Sequence, residues 1–193
     1  PDSVITVAEI LKEAGYTTGI FGKWSLGLLL EGHPDEGYPT LQGFDVFFGY
    51  DNQTMGHRHY PKDLKSNNSV VPLPGNDGVQ TSVYAPDTIQ ERLIRFIGQN
   101  KSRPFFLYYA LTLPHAELIG PEDSLIHKYR GTFPEEPFTG NDYGAADFKW
   151  TKYCSQEYPN ATYAAMVARI DGYVARITEK LEEEGILENR QPG

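Results

Sequence analysis

Only one cysteine, Cys154, occurs in 193 residues, which excludes an internal disulfide and a multi-cysteine zinc site. Basic residues are also scarce. Seventeen Lys and Arg against 26 Asp and Glu leave a net charge of −9, and no basic stripe interrupts that balance, so nucleic acid is not an expected partner. No apolar run reaches membrane-spanning length, because the best candidate, 20–30, is broken by Gly22, Lys23, Trp24 and Ser25. No internal repeat is present. The chain opens Pro1-Asp2-Ser3 and passes straight into a helix pattern with no secretory signal ahead of it, which leaves its location open. What remains is one large acidic domain, or part of a bigger one, with ample length to bury a core. Such a chain can still bind an anion where a few cations converge.

The pattern then turns constructive. Thr6 and Glu9 stand at capping-box spacing, and Val7, Ile10, Leu11 and Ala14 share one face of a first helix that Gly15 closes. Thr17 to Gly22 is short, β-prone and mostly apolar, as expected of a strand covered on both faces. Pro86-Asp87 opens a second helix to about Gln99 with Ile89, Leu93, Phe96 and Ile97 inward. The apolar run from Phe105 to Leu111 forms a second strand. These elements make a βαβ unit, about 6–22 and 86–112, whose strands are parallel and whose crossover is right-handed. A last helix over about 160–184 carries Tyr163, Val167, Ile170, Val174, Ile177 and Leu181 at spacings of three and four, and Gly185 stops it. Residues 24–84 and 116–158 are long and irregular, and segments of that length inside a compact domain are usually functional or disordered. Gly43 to Tyr50 is too aromatic for disorder and reads as packed, partly stranded chain. Lys65 to Thr81 reads as a polar surface excursion.

Chemistry is expected where strands end, since ligands of open α/β sheets bind beyond the carboxyl ends. Lys23 leaves the first strand between Gly22 and Gly27, and His115 follows the second, so the two emerge at one end of one sheet. The lysine is a candidate anion hook; the histidine can donate to an anion or protonate a leaving group. His57, Arg58 and His59 crowd one aromatic loop. No third histidine or carboxylate completes a metal set there; a solvated loop is the ordinary reading, and lining an anionic pocket is the better functional one. Cys154 has a cation nearby but no surrounding motif and reads as inert. Asp171 reads as a solvated helix carboxylate. His33 and His127 lie in loops that give no reason to single them out.

Four segments in order carry a family resemblance. Gly15 to Gly27 resembles the sulfatase signature Gly-Tyr-x-Thr-x-x-x-Gly-Lys-Trp-x-Leu-Gly. Pro104 to Tyr108 with Pro114-His115-Ala116-Glu117 is similar to that family's second strand and histidine. Tyr163 to Asp171 with Val174 to Ile177 resembles its long helix. Gln42 to Tyr50 with His59-Tyr60-Pro61 is similar to an arylsulfatase-like branch common in bacteria. The resemblance implies an α/β fold: part of an alkaline-phosphatase-like sandwich, with a mostly parallel central sheet flanked by helices and long irregular loops. Residues 1–193 would then be an incomplete catalytic domain.

The same resemblance implies a sulfuric-ester hydrolase acting on a sulfated small molecule or glycan. Its nucleophile would be a formylglycine from a Cys/Ser-x-Pro/Ala-x-Arg motif, and its metal a divalent ion, usually calcium. Lys23 would contact the sulfate and help offset charge at the nucleophile, and His115 would contact the sulfate or help the leaving oxygen depart, both by electrostatic stabilisation of the transition state. Ser25 stands where the family often has histidine; it would contact substrate with one hydrogen bond, and His57 is the candidate substitute for the lost charge. Cys154 is followed by Ser155-Gln156-Glu157, not the nucleophile motif, and no metal-ligand pair matches. The nucleophile and metal ligands are therefore expected from a longer parent, and periplasmic or secreted settings fit a bacterial sulfatase. Cut sheet edges would also invite self-association. Two alternatives stand beside this reading: a phosphodiesterase or phosphonate hydrolase of the same superfamily, and a binding or scaffold domain that kept the fold without catalysis.

Overall fold

The computed structural model describes residues 4–189; Pro1-Asp2-Ser3 and the tail Arg190-Gln191-Pro192-Gly193, on which the reading of both ends relied, lie outside the described residues. Helix α1 (Val7–Glu13) begins at a complete capping box between Thr6 and Glu9 and turns at Gly15, φ +89°. It leads into β1 (Thr17–Lys23). A small antiparallel ladder, β2 (Leu29–Leu30) with β3 (His33–Pro34), precedes β4 (Val46–Tyr50). The hairpin β5 (Asp63–Ser66) and β6 (Ser69–Pro72) comes next, followed by α2 (Ala85–Asn100) and β7 (Phe105–Ala110). The short α3 (Ser124–Tyr129) and the long α4 (Pro159–Glu183) complete the elements used below.

The main sheet runs β6-β5-β4-β1-β7. Its three strands β4, β1 and β7 are parallel, with Gly22 of β1 opposite Gly49 on one side and Ala110 on the other. The β5–β6 hairpin extends it antiparallel from β4. Period-two alternation divides the central strands between two cores. Phe21 and Phe48 face Leu93, Phe96 and Ile97 of α2, while Ile20 and Phe47 face Ala8 of α1 with Tyr38 and Phe44. Five consecutive residues of β1 are therefore buried.

Three expectations change. The segment 65–81 is not merely a surface excursion, because its first part supplies β6 and the end of β5. The inward face of α4 lies one residue, about 100°, from the expected stripe: Thr162, Met166 and Tyr173 are buried, whereas Tyr163, Val167 and Val174 are 47–52% exposed. Only Ile170, Ile177 and Leu181 of that stripe touch a core. Helix α1 likewise buries Ala8 and leaves Val7 and Ile10 exposed. Small residues explain the rotation of α4, since Ala161 and Ala165 let α3 approach closely through Ile126.

Candidate active site

Strand β1 delivers Lys23 to the carboxyl end of the sheet. Gly22 just before it has φ +117°, and a Cβ there would collide with the Ala110 carbonyl of β7. After β4 the chain makes a single turn of 3-10 helix, Met55–His57, that rides on the lysine stem. A Cβ on Gly56 would stand 2.8 Å from Lys23 Cδ, so a larger residue there would push against the lysine stem.

That turn sets His57 against His115, which follows β7. Their rings stack with centroids 5.8 Å apart and planes 12° from parallel. Tyr153 meets both edge-on, at 5.3 and 5.7 Å. His115 Nδ1 accepts the Glu117 backbone N–H at 3.1 Å, which fixes the proton of the neutral ring on Nε2. Burial, and then the charge of Lys23, hold the His115 pKa below its ordinary value. His57 is lowered by burial first and then by Arg58, His115 and Lys23, against a weaker backbone hydrogen bond with Trp150. His57 Nε2 is buried and has no hydrogen-bond partner. The arrangement is one cation beside two imidazoles kept neutral, one presenting an N–H and one an unsatisfied nitrogen.

Lys23, His57 and His115 are thus brought together. Ser25 is not: it is exposed, and among the described residues no hydrogen bond ties it to any of the three. Arg58 departs from the expectation that it lines an anionic pocket. It is wholly buried and paired with Glu117 at 2.6 Å, both side chains 0% exposed. His59 is also interior; its Nδ1 lies 2.9 Å from the Ile119 carbonyl, and burial pushes its pKa down to about 4. Cys154 is buried and its thiol is pushed up to about 12 by burial and by Glu117. Asp171 and His33 are exposed, and His127 pairs with Glu122 at 2.8 Å on the surface. Sequence reasoning missed Tyr153 and Glu117. The Pro114-His115-Ala116-Glu117 string carries Glu117, but its partner lies 59 positions away.

An open cleft of about 380 Å³ lies beyond the carboxyl end of β4, lined among others by Leu29, Tyr50, Asp51, Met55, Lys62 and Trp150. Neither Lys23 nor the imidazoles line it; it adjoins them through Met55 of the His57 turn. Among the described residues no group of three or more His, Cys, Asp or Glu side chains is placed to hold a metal.

A family model described as Sulfatase matches residues 1–190. The chain belongs to the sulfatase family. An uncharacterized sulfatase of Schizosaccharomyces pombe is 30% identical over 97% of this chain and 39% of its own length. An arylsulfatase of Hemicentrotus pulcherrimus is 32% identical over 69% of this chain and 26% of its own. The sulfatase chain therefore spans well under half the length of these relatives. Among solved structures, yidJ of Bacteroides fragilis matches with a TM-score of 0.67 at 18% identity, over 98% of this chain and 42% of that one. That likeness supports the α/β fold of parallel strands between helices. No helix among the described residues is long and apolar enough to cross a membrane.

Proposed function

We propose that this chain forms the anion-holding side of a sulfuric-ester hydrolase site, with Lys23 and His115 as catalytic residues and His57 as a substrate contact. The observation that carries the reading is the convergence of Lys23 with the stacked His57–His115 pair at the carboxyl end of the sheet, with His115 Nδ1 already engaged. Lys23 offsets the charge of the sulfate. His115 Nε2–H donates to the ester oxygen as negative charge develops there. The unpartnered nitrogen of His57 faces its own hydrogen-bond deficit until a ligand supplies a partner. One cation beside two imidazoles whose pKa values are held low suits a monoanionic ester, which a sulfate monoester is. The neighbouring cleft is in the size range of small-molecule sites and suits the alcohol part of the ester, an aryl group or a sugar.

Ser25 remains assigned to substrate contact only on its position two residues after Lys23. In the family a divalent metal, usually calcium, supplies a Lewis acid and formylglycine the nucleophile. The donor set for neither occurs among the described residues, so no step is routed through them. The half-exposed Tyr163, Val167 and Val174 on α4, with Val7 and Ile10 on α1, also support self-association of the isolated chain through apolar faces.

The test is hydrolysis by a protein carrying these residues within a complete sulfatase domain. Lys23→Ala and His115→Asn should each lower kcat on an aryl sulfate at least about a hundredfold. Unchanged kcat would remove the residue from the catalytic set. Preference for a phosphodiester over the sulfate ester would reassign the site to the phosphoryl branch, and measurable aryl sulfate turnover by residues 1–193 alone would overturn the one-sided assignment.

A further inference from the structure

We propose that Arg58 and Glu117 are positioning residues that set the His57–His115–Tyr153 ring cluster from behind. The Arg58 guanidinium is wholly buried and uses its full fork. Nε donates to the Trp150 carbonyl at 2.8 Å, Nη2 to the carbonyls of Lys149 (2.6 Å) and Lys152, and Nη1 to Glu117 Oε1 (2.6 Å) and Cys154 Sγ (3.3 Å). The rings of Tyr143 and Phe148 lie 5.4 and 5.1 Å from its central carbon. Glu117 is equally committed: Oε2 accepts the Cys154 N–H at 2.9 Å, and Oε1 takes the thiol at 3.3 Å as well as Arg58.

Each ring of the site is chained to this knot. His57 precedes Arg58. His115 receives the backbone N–H of Glu117 itself. Tyr153 lies between Lys152, whose carbonyl Arg58 holds, and Cys154, whose N–H and thiol Glu117 holds. One ion pair therefore sets three loops that are far apart in sequence, and each supplies one ring to a cluster with centroids 5.3–5.8 Å apart. A charge-assisted fork is well suited to this, because its five donors fix direction as well as distance. The pair touches no substrate; it acts through the orientation and tautomer of His115, and its relevance to hydrolysis rests on the function proposed above.

The experiment is nitrogen-15 NMR of the histidine rings in this chain. In the unaltered chain His115 should show the Nε2–H tautomer and a coupling across the hydrogen bond from the Glu117 amide to His115 Nδ1. Absence of both overturns the proposal without any variant. Glu117→Gln, which leaves the Arg58 charge unpaired, should weaken the coupling, mix the His115 tautomers and reduce His57–His115 and Tyr153 ring contacts by at least twofold, while the methyl signals of the β1–α2 core stay in place. Unchanged tautomer and contacts in that folded variant would refute the inference. Arg58→Lys is the second variant: it retains the charge facing Glu117 but not the fork to the three carbonyls. It should release Tyr153 and leave the His115 tautomer intact; loss of neither or of both refutes the separate roles of the two residues. Within a complete domain, Glu117→Gln should lower kcat about tenfold with KM nearly unchanged. If the rings move and kcat does not, the positioning stands and the hydrolase reading fails.

Discussion

Acidification should destabilise this protein through His59. The imidazole is 0% exposed, its Nδ1 is bonded to the Ile119 carbonyl, and its Nε2 is buried without a partner. Protonation would place a second N–H in that interior with nothing to receive it. Burial dominates, reinforced by His115, His57 and Arg58 and opposed by the Ile119 hydrogen bond, and takes the pKa from 6.5 to about 4. Between those values the unfolded chain binds a proton that the folded chain does not, so stability rises with pH across the window. The contribution is fully present above about pH 6.5 and is lost as pH falls toward 4. Linkage with these two pKa values gives a loss of about 2 kcal/mol at pH 5 and about 3 kcal/mol at pH 4. Urea denaturation at pH 8 and pH 5 reads it directly: at a slope near 2 kcal/mol per M, the midpoint falls by about 1 M from this residue alone. His57 and His115, also held low, add in the same direction. His59→Gln can keep a donor for Ile119 but cannot titrate, so its midpoint should fall by about 1 M less than that of the unaltered chain over the same interval. An identical fall in both proteins would refute the reasoning.

Glu117→Gln should cost about 3–5 kcal/mol in urea denaturation, as expected when one partner of a wholly buried ion pair is removed, and a loss below 1 kcal/mol would contradict the burial of Arg58. Cys154 should react with a thiol reagent at pH 8 far more slowly in the folded chain than in urea, because its thiol is buried and pushed up to about 12; equal rates would contradict that environment. The apolar faces of α1 and α4 should make the isolated chain associate at raised concentration, seen by light scattering after size exclusion, and Val167→Lys should weaken it; a monomer at every concentration would contradict the proposal.

The parts of the molecule written in local periodicity could be read before the structure. The capping box of α1, the strand ending at Lys23, the amphipathic α2 and the run of β7 each declare themselves within ten or so residues. The βαβ rule then carries Lys23 and His115 to one end of the sheet. What escaped depends on pairing across the chain. Val46 to Tyr50 becomes the third parallel strand only because Phe48 lies beside Phe21, and Asp63 to Pro72 becomes a hairpin only because β4 offers an edge. On α4 the large residues Tyr163, Val167 and Val174 marked a stripe, yet close approach by α3 favoured the small Ala161 and Ala165 instead. Arg58 was legible as a cation near two histidines, but not as half of an ion pair, because Glu117 and the carbonyls of 149–152 reach it only through the fold. Tyr153 enters the site by the same route.

The central claim is that Lys23, His57 and His115 together hold a sulfate. Its most direct measurement is titration of this chain with inorganic sulfate while the ring nitrogens of its five histidines are followed by NMR. His57 and His115 should move saturably, His33 and His127 should not, and Lys23→Ala should weaken the response about tenfold, the worth of one lost charge contact. Saturable shifts confined to the surface histidines, or the same affinity in Lys23→Ala, would contradict the account.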